Sequence, residues 1–84
     1  MKVYTLTVIT EKESEHPKVE ITIYKDLVTA LKAYSDTIDG VDTKGYEEIW
    51  EEDEIATAEY RWWRAFDRMG VDSVTIELEA KEVI

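Results

Sequence analysis

Between Asp36 and Glu59 the chain sets ten carboxylates, Asp36, Asp39, Asp42, Glu47, Glu48, Glu51, Glu52, Asp53, Glu54 and Glu59, against one base, Lys44. Three kinds of chemistry draw on such a set: ligation of a hard cation, proton transfer between paired acids, and recognition of a basic surface. The first is tested at Asp36-x-x-Asp39-Gly40-x-Asp42. A calcium loop of the EF-hand type needs oxygen ligands at its first, third and fifth positions, and Ile38 occupies the third. Zinc lacks ligands, because there is no cysteine and His16 is the one histidine. No metal and no cofactor is expected. Proton transfer fares little better: no nucleophile and base stand in a recognisable arrangement, and three glycines do not make a phosphate-cradling loop, so the chain does not read as an enzyme.

Electrostatic recognition remains. The plainer account of an acid run is a solvated face that keeps the protein soluble. Solvating helices, however, gain from interleaved Glu and Lys pairs, whereas like charges within one or two turns cost a few tenths of a kcal/mol per pair, roughly. A basic partner relieves that repulsion. Carboxylates one helical turn apart lie about 5 to 6 Å from each other, on the scale of duplex DNA with its one charge per about 1.7 Å of axis. Such a face can enter a Lys/Arg cleft built for nucleic acid. Glu20, Glu77 and Glu79, on the open face of a sheet, widen it. Aromatic anchors stand beside the acids: Tyr46 and Trp50 within the run, and Trp63 in Arg61-Trp62-Trp63-Arg64. The expected partner-binding set is therefore Glu47, Glu48, Trp50, Glu51, Glu52, Asp53, Glu54, Glu59 and Trp63.

These residues need elements to hold them. Tyr4, Leu6 and Val8 alternate with Val3, Thr5, Thr7 and Ile9, the period of a strand over 3–10, and 19–24 repeats the pattern after the polar EKESEHPK. The two strands predict an antiparallel hairpin. Asp26 is a helix N-cap, followed by Leu27, Leu31, Tyr34 and Ile38 at helical spacing, and Gly40 offers the left-handed conformation that ends a helix. A second helix is expected to end at Arg68-Met69-Gly70, because Ile55, Ala58, Trp62, Phe66 and Met69 form one stripe. Trp62 and Phe66 then face the core, Trp63 lies at the stripe's edge, and Arg61, Arg64 and Arg68 share the outer face with Tyr60. Trp50 falls out of phase, so a break is expected within 51–54, with Asp53 capping the second piece. Read instead as a strand, Ala56, Ala58, Tyr60 and Trp62 alternate; the stripe and Gly70 favour helix. Val74, Ile76 and Leu78 mark a third strand. The order is β-β-α-α-β: an α+β two-layer sandwich, a three-stranded sheet with its helices on one face and the first strand at its centre.

At 84 residues, residues 1–84 make one domain, and 44% hydrophobic content with nine aromatics supplies a core despite the net charge of −10. The absence of cysteine and of an apolar run long enough for a leader or a membrane span fits a cytoplasmic protein. A charge of −10 repels phosphate and anionic lipid, so neither nucleic acid nor membrane is the direct partner.

In its short cysteine-free domain, its YEEIWEEDE run and its mix of strand and helix, the chain resembles the small acidic inhibitors that bacteriophages and mobile elements direct against host defences, including anti-CRISPR proteins and DNA-mimic anti-restriction proteins. The resemblance implies a non-catalytic protein that binds a basic nucleic-acid-binding protein or ribonucleoprotein complex and occludes the nucleic-acid site of a host defence nuclease. It assigns no role to any individual residue. The alternative is a self-associating structural or adaptor domain, joined through an open sheet edge or the out-of-phase aromatics. Either a monomer or a homodimer suits the first reading.

Overall fold

The computed structural model describes residues 1–12, 15–41, 49–57, 59–67 and 72–83, and at 49–53, 56 and 67 the backbone. Five strands and one helix follow in the order β1 (Lys2–Glu11), β2 (Lys18–Tyr24), α1 (Leu27–Asp39), β3 (Ile49–Thr57), β4 (Tyr60–Asp67) and β5 (Ser73–Glu82). The strands form a single antiparallel sheet in the order β2-β1-β5-β4-β3.

The expected three-stranded sheet with two helices is thus corrected to five strands and one helix. The segment read as a second helix is a β3–β4 hairpin, with Ile49 opposite Asp67 and Ile55 opposite Arg61. Two physical causes favour this. Tyr60, Trp62, Trp63 and Phe66 are of the aromatic type that suits a pleated surface. A strand also divides a run of acids between two faces, where a helix crowds it into one turn. The helical stripe was a coincidence of spacing. The strand alternative had Tyr60 and Trp62 on one face, as they are, but missed the turn: the Glu59 N–H donates to Thr57 Oγ1 at 3.1 Å just before β4 begins.

The hairpin of β1 and β2 and the helix α1 follow the sequence closely. Asp26 caps the helix, accepting from the Thr29 N–H at 2.9 Å and from its hydroxyl at 2.8 Å. Gly40 does end α1, yet with φ −86° it stays right-handed, its N–H still reaching the Asp36 carbonyl at 3.0 Å. β1 is an inner strand; the middle position belongs to β5, which pairs with β1 on one side and β4 on the other.

The helix lies over β1, β5 and β2 and buries Ala30 and Tyr34 against Tyr4, Leu6, Trp63, Ala65, Val74, Ile76 and Leu78. Ile76 and Leu78 are fully inaccessible, and burying such a side chain contributes about 1.5–3 kcal/mol each. The opposite face of the sheet has no helix on it among the described residues. None of the described residues belongs to a helix long and apolar enough to cross a membrane.

Candidate protein interface on the open sheet face

Cross-strand register builds the site. Glu54 on β3 stands opposite Trp62 on β4, and Trp62 stands opposite Glu77 on β5, so the three make one row across the sheet. In the next row Tyr60 is opposite Glu79; on the other side Arg64 is opposite Thr75. All lie on the face away from the helix, since the intervening Trp63 and Ala65 are buried in the core. Period-two alternation is the entire reason: Tyr60, Trp62, Arg64 and Phe66 point one way, Arg61, Trp63 and Ala65 the other.

Tyr60, Trp62, Arg64, Thr75 and Glu77 line a shallow cleft of about 290 Å³. The Trp62 indole Nε1–H donates to Glu54 Oε2 at 3.1 Å, which fixes the ring and leaves Glu54 exposed. Tyr60 has its hydroxyl pKa raised above the usual tyrosine range, chiefly by the negative charge of Glu77, then by burial, by Glu79 and Glu54, and by a hydrogen bond with Glu77. It therefore stays a neutral phenol beside the carboxylates. Arg64 lines the cleft as well, its guanidinium 5.4 Å from the centroid of the Phe66 ring.

An aromatic wall beside a carboxylate is chemistry for a cation: the indole face attracts it and Glu77 supplies the ion pair. A lysine or arginine side chain of another protein meets both conditions. Among the described residues, no three carboxylates or histidines gather to hold a metal ion.

The expected site residues are scattered differently. Glu47 and Glu48, with Tyr46, lie outside the described residues. Trp50, Glu51, Glu52 and Asp53 belong to the backbone of β3, opposite Phe66, Ala65, Arg64 and Trp63 in turn. Asp53 is thus a strand residue and not a helix cap. Glu59 sits in the β3–β4 turn and accepts from Lys2 Nζ at 3.0 Å. Trp63, expected as an anchor, is 8% accessible and part of the core, while Trp62 and Phe66, expected in the core, lie on the open face. One strand in place of one helix exchanges them. Glu20 is corrected too: opposite Val8, it lies on the helix side, whereas Glu77 and Glu79 lie on the open face as expected. None of the five cleft residues was in the expected partner-binding set; the alternation Tyr60-x-Trp62-x-Arg64 on β4, with Thr75-x-Glu77 on β5, is the signal that finds them.

On the helix side, Arg61 spreads over the Tyr34 ring, 5.9 Å from its centroid. Its buried Nε has no hydrogen-bond partner among the described residues, and such an unsatisfied donor costs about 1–3 kcal/mol.

Compared with protein-family models, with curated proteins and with solved structures, the chain has no match.

Proposed function

We propose that the protein is a non-catalytic protein-binding domain whose acidic, aromatic sheet face docks on a basic surface, in the manner of an inhibitor that occludes the nucleic-acid site of a host defence nuclease complex. The observation that carries this reading is the row Glu54, Trp62 and Glu77, with Tyr60 and Glu79 in the row beside it. Carboxylates two residues apart on a strand are separated by about 6.5–7 Å, and cross-strand neighbours by about 4.5–5.5 Å. A two-dimensional lattice of this kind meets lysines and arginines spread over a surface better than a single helix face does. Charge speeds the encounter, and Trp62 supplies the rigid contact that slows release.

The test uses the protein as bait in nuclease-treated lysates of bacteria carrying defence systems, beside a Glu77→Lys, Glu79→Lys variant. Both positions are partly exposed on the open face, so the fold persists. The expected result is a nucleic-acid-handling complex held at about 0.1 M salt, released at about 1 M, where the Debye length falls from about 10 to 3 Å. Competing DNA displaces it, and the variant fails to capture it. Equal capture by the variant overturns the assignment of the site.

A further inference from the structure

The second unpartnered feature is β2, at the far edge from the acid run. Among the described residues, no strand lies beside its outer side. On the open face it exposes Val19, Ile21 and Ile23 by 57%, 62% and 64%. The apolar side of this strand thus faces away from the helix, while Glu20, Thr22 and Tyr24 take the helix side, opposite Val8, Leu6 and Tyr4. Natural edges are blunted by charge, proline or a bulge. Within β2 the charged residues are Lys18 and Glu20, and the other five residues of the strand are uncharged.

Charge and register identify what covers it. Residues 1–25 contain four lysines, Lys2, Lys12, Lys18 and Lys25, and four glutamates, Glu11, Glu13, Glu15 and Glu20, so the hairpin is electroneutral and the whole charge of −10 falls on residues 26–84. A basic partner finds no net charge to bind on this hairpin, and a second copy meets its net-neutral part rather than the acidic one. The strand is also self-complementary. In an antiparallel two-fold pairing centred on Ile21, Ile21 meets Ile21, Val19 meets Ile23, Glu20 meets Thr22 and Lys18 meets Tyr24. All three exposed aliphatic residues then meet their like in one cluster, and no like charges are opposed. The neighbouring registers are worse. Centred on Glu20, two glutamates stand face to face; centred on Thr22, Val19 is set against Lys25.

We propose that two copies join through β2 in this register, forming one continuous ten-stranded antiparallel sheet with both helices on the same side. The interface is isologous, as closed two-fold dimers require. The β3 strands become its two outer edges, as far apart as the sheet allows, and each copy keeps its cation-accepting cleft free. The dimer rests on β2 alone, so it stands or falls independently of the function proposed above.

The chain lacks cysteine, which gives a clean chemical readout. Scattering-detected gel filtration at about 0.5 mM, where a submillimolar complex forms, is expected to give twice the 9.8 kDa chain mass. Ile21→Glu, a change at an exposed position, is expected to raise the dimer Kd at least about tenfold with an unaltered circular dichroism spectrum. Ile21→Cys is expected to cross-link into a disulfide dimer on mild oxidation, because residues directly opposite on a two-fold come near the required Cβ separation. Val28→Cys, at a 73% exposed site on the helix, is the control that forms no disulfide-linked dimer under oxidation. A wild-type mass of one chain overturns the proposal. So does a dimer unaffected by Ile21→Glu, or one that cross-links as well from position 28 as from position 21.

Discussion

The two edges of this sheet are opposites. β3 contains Glu51, Glu52, Asp53 and Glu54 in succession, in a domain half whose charge is strongly negative; β2 belongs to an electroneutral hairpin and exposes a row of aliphatic side chains. Among the described residues both are unpaired on one side, and an unpaired strand is a template for another chain. Charge guards one template and leaves the other open. The contrast teaches that net charge is a poor summary of a small protein: −10 describes the β3 half and says nothing of the edge suited to a second copy.

The harshest way to break the contrast is to remove what both edges share. Leu78 lies on the middle strand and is fully buried, so Leu78→Ala should cost about 2–5 kcal/mol of a total that is about 5–15 kcal/mol for a whole domain. A urea melt should shift strongly, and partner capture and dimer mass should fail together. Next in size is reversal of one edge only. Changing Glu51, Glu52, Asp53 and Glu54 to lysine moves the net charge from −10 to −2, two units per residue. Low-salt capture of a basic partner should disappear while the dimer mass stays; loss of both would mean that the two edges are not independent. Trp62→Phe keeps a ring but deletes the donor to Glu54, an exchange worth about 0.5–1.5 kcal/mol, read as a small drop in melting temperature and weaker partner binding with no effect on self-association.

The smallest effects come from pH. Asp26 has its pKa lowered, first by the Thr29 N–H and then by the Thr29 hydroxyl. A depressed folded pKa means that the cap's contribution is present above the unfolded value near 3.8 and fades as pH falls through the folded one. Melting temperature should therefore decline below about pH 4, and Asp26→Asn, which caps without titrating, should flatten that decline. At the other extreme, the hydrogen bond and then the charge of Glu59 raise the Lys2 pKa, so its contribution is present below the ordinary 10.5 and is lost as pH rises through the folded value.

Half of the fold was legible because its signals were local. The β1 alternation, the Asp26 cap and the Val74, Ile76 and Leu78 row each depend on neighbours in sequence. The β3–β4 hairpin is not legible in the sequence, because Ile55, Ala58, Trp62 and Phe66 also fit a helical period and the acid run also reads as a helix face. What decides between them is a distant partner, β5, whose Ile76 and Val74 stand opposite Trp63 and Ala65. The same applies to the site. Composition singles out Glu54, which stands opposite Trp62, but Trp62 and Trp63 are exchanged because their faces follow from the element type. The phase of β2 was hidden for a different reason: its aliphatic residues face solvent, contrary to the usual rule, and only the register Tyr4 to Tyr24 reveals it.

The β1–β5 seam has a consequence for how the protein is made. Leu6 pairs with Leu78, so the first strand to leave the ribosome must wait for the fifth before its inner side is covered. The hairpin and helix can form early as local structure, but the loop that joins the seam spans most of the chain, and its closure is slow by topology. During that interval β1 offers a bare backbone edge and β2 its aliphatic row. Crowded nascent chains would be most exposed to mispairing at that moment, and slower synthesis through β3 and β4 would lengthen it.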